Sequence, residues 1–238
     1  MSKRINSVIY WNALIRFLFE GYVILAMCSL INMLHLSKDT WGELLNSVIA
    51  IIFLVIVIGV PILVGVQMYR YWSLLLTEDF YTMYGELYEN LLIDTDKHVI
   101  LQPVIFFARR LMLSFTVVYL QDTLIWQIVS ITVQVIVVII YIGNVSPFKI
   151  KIANKIEIFN EVCIMLTMYN FLCFSDFVPD IHVKIGIGFF CISFVALQIL
   201  VNLFLLAYET IRNSYLRWKL HKFNRELVRL RANEMLKS

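Results

Sequence analysis

The run from Leu44 to Tyr69 contains no charged side chain, and similar apolar stretches recur along the rest of the chain. A bilayer's hydrocarbon core is about 30 Å thick and takes about 20 helical residues to cross. That ruler marks six candidate spans, at about residues 8–36, 44–69, 101–121, 124–143, 156–175 and 183–208. Polar residues punctuate them: Lys38 to Gly42, Ser146 with Pro147, and Asp176 to Asp180. Gln121, Asp122 and Thr123 mark a tight hairpin, because the apolar sequence from Leu111 to Val145 is otherwise far too long for one crossing. The expected fold is therefore all-α: a polytopic integral membrane protein with six transmembrane helices and an amphipathic C-terminal helix.

Composition agrees and removes alternatives. Hydrophobic residues make up 61% of the 238 residues and charged ones 16%, against about 45–50% apolar in soluble domains, so the lipid bilayer is the expected main solvent and partner. The net charge of +3 is too small to indicate a nucleic-acid binder. Cys28, Cys163, Cys173 and Cys191 lie in apolar runs without a CxxC pair, and read as small hydrophobes. Lys3 and Arg4 precede an apolar run interrupted by Arg16 and Glu20 and lacking a small-residue cleavage site, which reads as a retained first span. His35, His98, His182 and His221 are scattered, and no hydrolase, metalloprotease, P-loop or dinucleotide motif is present, so neither enzyme activity, cofactor nor metal is expected.

Six spans place both termini on one side. Lys3, Arg4, Arg70, Lys97, Lys149, Lys151, Lys155 and eight basic residues beyond Glu209 share that side, fifteen against Lys38 and Lys184 opposite. The positive-inside rule then makes both termini cytoplasmic. Residues 1–208 form the transmembrane domain, with an interfacial linker at 71–98 in which Tyr71 to Leu92 suits a helix at the headgroups, and 209–238 form a basic cytoplasmic helix. In that last segment Leu216, Leu220, Phe223, Leu227 and Leu230 repeat at alternating spacings of four and three, which suits either a membrane-surface helix or a short coiled-coil seam.

Charges within spans are costly and need partners. Arg16 and Glu20 are four apart and can neutralise each other. Arg109 and Arg110 point about 100° apart on their helix, and Glu157, Asn160 and Glu161 offer counter-charges from span five. Together these seven residues form a charge network that reads either as an anchoring or bundle-locking cluster or as an ion or headgroup pathway lined by Glu20, Arg109, Arg110, Glu157 and Glu161. Pro61, flanked by Gly59 and Gly65, should kink or loosen span two, expose carbonyls to a neighbour and offer a hinge.

Several segments resemble the C-terminal membrane region of large ciliate transmembrane proteins of the TRP-like and polycystin-like kind: Trp11-Asn12-x-x-Ile15-Arg16-Phe17-x-x-Glu20-Gly21-Tyr22, Tyr84-Gly85-x-Leu87-Tyr88-Glu89, Arg109-Arg110-Leu111, Pro147-Phe148, Asn154-Lys155-x-Glu157-x-Phe159-Asn160-Glu161 and Phe174-x-Asp176-Phe177-Val178. The resemblance implies a TRP-like channel or sensory module, normally carried behind a long extracellular portion that is here expected to be absent or encoded elsewhere. The link from Ser175 to His182 is too short for a pore helix and filter, so an ion path beside the charged cluster is expected. The alternative is an accessory or scaffold subunit of a larger, even organellar, membrane complex; a homo-oligomer or such a complex is the expected assembly.

Overall fold

A computed structural model describes residues 2–37, 39–93, 96–175 and 178–235, and it is all-helical, with 85% of residues in helices and no strand among those described. Its α-helices are α1 (Ser2–Leu34), α2 (Trp41–Arg70), α3 (Glu78–Tyr84), α4 (Leu101–Tyr119), α5 (Leu124–Val145), α6 (Lys151–Leu172) and α7 (Ile181–Met235). Among the described residues five are long and apolar enough to cross a membrane: α1, α2, α4 with its preceding turn, α5 and α7. α6 matches them in length, at 22 residues, but Lys151, Lys155, Glu157 and Glu161 dilute its apolar content.

The chain divides into two compact units, Met1–Pro179 and Asp180–Ser238. In the first, α1 packs on α2 and α4, α2 on α4, and α5 on α6. Helix ends follow local chemistry. Thr40 caps α2 by accepting from the Glu43 N–H at 3.3 Å, satisfying one of the orphan donors of the first turn. Ser146 ends α5 at φ 47°, a left-handed conformation. Asn154 then holds the turn closed: its amide donates to the Phe148 carbonyl and its oxygen accepts from the Phe148 N–H, both at 3.1 Å.

Residues 71–100 differ from the single interfacial helix expected. Thr77, extended at φ −77° and ψ 141°, separates a short turn at Trp72–Leu74 from α3, and further turns follow at Gly85–Leu87 and Lys97–Ile100. These pieces fold on a core of their own, in which Leu75, Tyr88, Leu91, Ile93, Val99 and Ile100 are buried with Met68 of α2. The Tyr88 hydroxyl donates to the Leu75 carbonyl at 2.9 Å, and burial together with nearby Tyr81 pushes it up to about 12. The Leu92 N–H donates to Pro147 O at 2.8 Å and the Lys149 N–H to Asn90 O at 3.0 Å, an antiparallel bridge of Leu91 with Phe148. This pairing puts the linker and the α5–α6 turn at the same end of the bundle. The Asn12 amide reaches the Thr82 carbonyl at 3.5 Å, bringing the first half of α1 to that end as well.

The second unit is a helix of 55 residues, about 80 Å long at 1.5 Å per residue. The expected boundary at 208/209 is not marked by any break, because the helix passes through Tyr208 and Thr210 uninterrupted.

Candidate functional site: a buried charge cluster

The seven residues of the expected charge network separate into three groups. In the first, the Arg109 guanidinium of α4 is ion-paired with Oε1 of Glu161 on α6. The Glu161 side chain is 2% exposed, and its Oε2 has no hydrogen-bond partner among the described residues. Glu157 lies one helical turn earlier on the same face and interacts electrostatically with both Glu161 and Arg109. Asn160 is half-buried on the same turn. One buried carboxylate is therefore paired with one guanidinium, and a second carboxylate lies near enough to feel both charges.

Arg110 forms the second group. Its guanidinium donates to the Phe19 carbonyl of α1 and sits 3.9 Å from the centroid of the Phe106 ring, a cation–π geometry. Instead of an acidic partner it has a carbonyl and an aromatic face, with Phe106 one turn back on its own helix. The 100° offset between adjacent helical positions is what sends the two arginines to different neighbours.

Arg16 makes the third group. It leaves its own helix to bind Glu86 of the linker at 2.6 Å, although Glu20 shares its helical face. The Arg16 side chain is 67% exposed, and this pair ties α1 to the linker at the outer edge of the bundle rather than joining the buried cluster.

Pro61 does not break α2, which runs unbroken from Trp41 to Arg70. A proline has no N–H for the carbonyl four residues earlier, here Val57, and the Tyr22 hydroxyl of α1 donates to that Val57 oxygen at 2.7 Å. Tyr22 is fully buried, with Val57 and Phe107 packed around it. Of the flanking glycines, a Cβ on Gly65 would come within 3.1 Å of Val104 of α4, whereas one on Gly59 meets nothing within 4 Å. Gly65 thus serves a close α2–α4 approach, while no such contact surrounds Gly59. A further interhelical bond joins Thr116 of α4 to Ser130 of α5 at 2.9 Å.

Tyr22, Glu86, Phe19 and Phe106 were not singled out as site residues from the sequence. Tyr22 and Phe106 had readable signals: the carbonyl freed by Pro61 needs a donor, and Phe106 precedes Arg110 by one turn. Among the described residues no group of three or more His, Cys, Asp or Glu side chains is placed to hold a metal. On α7, Leu216, Leu220 and Phe223 are exposed; the side chains of Leu227 and Leu230 lie outside the described residues. No family model, curated protein or solved structure matches this chain.

Proposed function

We propose that the chain is a six-span membrane protein with cytoplasmic termini, α6 making the fifth crossing, and that it acts as a TRP-like ion-conducting or sensory module. The observation that carries this reading is Glu161: buried, paired on one oxygen with Arg109 and on the other without a hydrogen-bond partner among the described residues, with Glu157 a turn away. With both carboxylates ionised, the cluster holds one negative charge in excess. In apolar surroundings such an excess strongly favours uptake of a cation or proton, which makes the α4–α6 face the natural place for a small cation to bind on its way through. The antiparallel bridge at Leu91 and Phe148 supports the alternation of spans, since it brings the end of α2, the start of α4, the end of α5 and the start of α6 to one face.

The test is current through the full-length chain reconstituted in planar bilayers. Glu161→Gln should lower cation conductance by about ten-fold, and Arg109→Gln should shift selectivity toward cations; currents unchanged in both variants would overturn the reading. Impermeant-thiol labelling of single cysteines placed at Lys38 and Lys149 checks orientation, with only Lys38→Cys expected to react from outside.

A second reading is an accessory subunit of a larger membrane complex, since the short link from Ser175 to His182 leaves no room for a pore helix and filter between the last two long helices. A particle in mild detergent with a fixed stoichiometry of other chains would favour it; a homo-oligomer would favour the channel.

A further inference from the structure

A cavity of about 280 Å³ opens between α1, α2, α3 and α4. Leu18 and Phe19 form one wall, Val60 and Val64 a second, and Phe80 and Phe107 close it from the linker and from α4. Its polar lining is sparse: Gln67, Tyr84, and Tyr88, whose hydroxyl is already engaged by Leu75. Water enters a cavity when two to four polar partners await it, and these walls are mostly hydrocarbon, so the chemistry they accept is an apolar chain.

Two further observations say which one. Leu63 lines the cavity and is also 61% exposed, beside Ile62 and Val66 at 59% and 58%. The cavity wall therefore runs without interruption into the outer surface of α2, the surface that meets lipid tails in a bilayer. Three residues beyond Gln67, on the same helical face, α2 ends in the exposed Arg70. Arg16, next to the lining residue Ile15, is already ion-paired with Glu86, whereas among the described residues the Arg70 guanidinium has only the Tyr71 ring beside it, 5.9 Å to the centroid. An apolar slot thus leads from the lipid face to a cation at the end of the span, where phosphates lie and long basic side chains reach them.

We propose that this cavity binds one acyl chain of a bilayer glycerophospholipid, entering past Leu63 with its phosphate beside Arg70. At this size the space takes a single chain and not a whole lipid, at the lower edge of ordinary ligand pockets. The bound chain bridges α1 and α2 to α3, so the lipid helps fix the linker against the bundle.

The experiment uses full-length protein in phosphatidylcholine liposomes carrying a trace of phosphatidylcholine with a photoactivatable diazirine midway along one acyl chain, followed by peptide mapping. Labelling of 60–68 and 80–88 should exceed that of Val133 and Val137, exposed on α5, by about ten-fold. Val64→Trp fills the cavity and should reduce that excess by about ten-fold; Leu63→Trp narrows the entrance from the lipid side and gives the same test should Val64→Trp elute as aggregate. Arg70→Ala should weaken labelling by the phospholipid but not by a diazirine diacylglycerol, which carries neither phosphate nor charge. Equal labelling of α2 and α5, or an excess indifferent to both tryptophans, overturns the proposal.

Discussion

The linker at residues 71–100 and the bundle of α1, α2, α4, α5 and α6 are built by different means within one compact unit. The linker gathers several large apolar side chains inward, Leu75, Tyr88, Leu91 and Ile93 each no more than 5% exposed, while Leu74, Leu76 and Tyr81 stay outside that core. The bundle turns many of them outward, Ile52, Val55, Ile62 and Val66 among them. In water that arrangement would be unstable, but in lipid an outward Ile loses nothing, because tails are as apolar as a neighbouring helix. Association in the bundle must rest on other contacts: the Arg109–Glu161 pair, Tyr22 on the Val57 carbonyl, Thr116 with Ser130, and the close passage of Gly65 by Val104. The hydrophobic effect thus organises the linker, while close packing around Tyr22 and Phe107, polar contacts and small residues hold the helices of the bundle together.

That contrast can be broken by mutation. Arg109→Leu leaves Glu161 as an uncompensated buried charge and should cost about 3–5 kcal/mol, read as a shift in detergent unfolding; adding Glu161→Leu should recover most of the loss, and failure to recover would mean the pair is not the contact that matters. Tyr22→Phe strands the Val57 carbonyl and should cost about 1–3 kcal/mol, but much less in a Pro61→Ala background, where the alanine N–H takes over; equal costs in both backgrounds would separate Tyr22 from the proline.

The linker answers to pH instead. Because the Tyr88 hydroxyl is held at about 12, above its ordinary value near 10, the folded linker keeps a proton that the unfolded chain releases. Its contribution is full below about pH 10 and is lost as pH rises toward 12. Hydrogen exchange of residues 71–100 should accelerate over that window, and Tyr88→Phe should flatten the dependence. The smallest effect belongs to Arg16→Ala, since the Arg16–Glu86 pair is exposed and screened; its thermal midpoint should match that of the parent within error, and a large drop would show the linker to depend on that tether.

The helical class and the positions of α1, α2, α4 and α5 were legible because a span must be long, apolar and internally hydrogen-bonded. Partners were less legible. Spacing alone matches Arg16 with Glu20, since i and i+4 neighbours are all that a linear pattern reveals, yet Glu86, seventy residues away, holds it. Spacing offers Glu157 and Glu161 to Arg109 and Arg110 without a choice among them, and the pairing of Glu161 with Arg109 turns on helix rotation, which a linear pattern does not carry. In the linker, aromatic and acidic residues gave the look of one amphipathic helix; the break at Thr77 and the pairing of residues 90–92 with 147–149 depend on tertiary contacts that no local pattern carries. The expected end of the last span at 208 leaves no mark on the backbone, because apolar composition gives way to basic within one continuous helix and a span can end without its helix ending.

The bond from Tyr22 to the Val57 carbonyl also bears on biogenesis. As α2 leaves the translocation machinery, Pro61 presents the membrane with a carbonyl that its own helix cannot satisfy, and lipid offers no donor. Synthesis runs from the N-terminus, so α1 with Tyr22 already waits in the bilayer when that carbonyl arrives. The proline thus makes α2 dependent on the helix made just before it, and the two are expected to settle as a hairpin before α4 is synthesised.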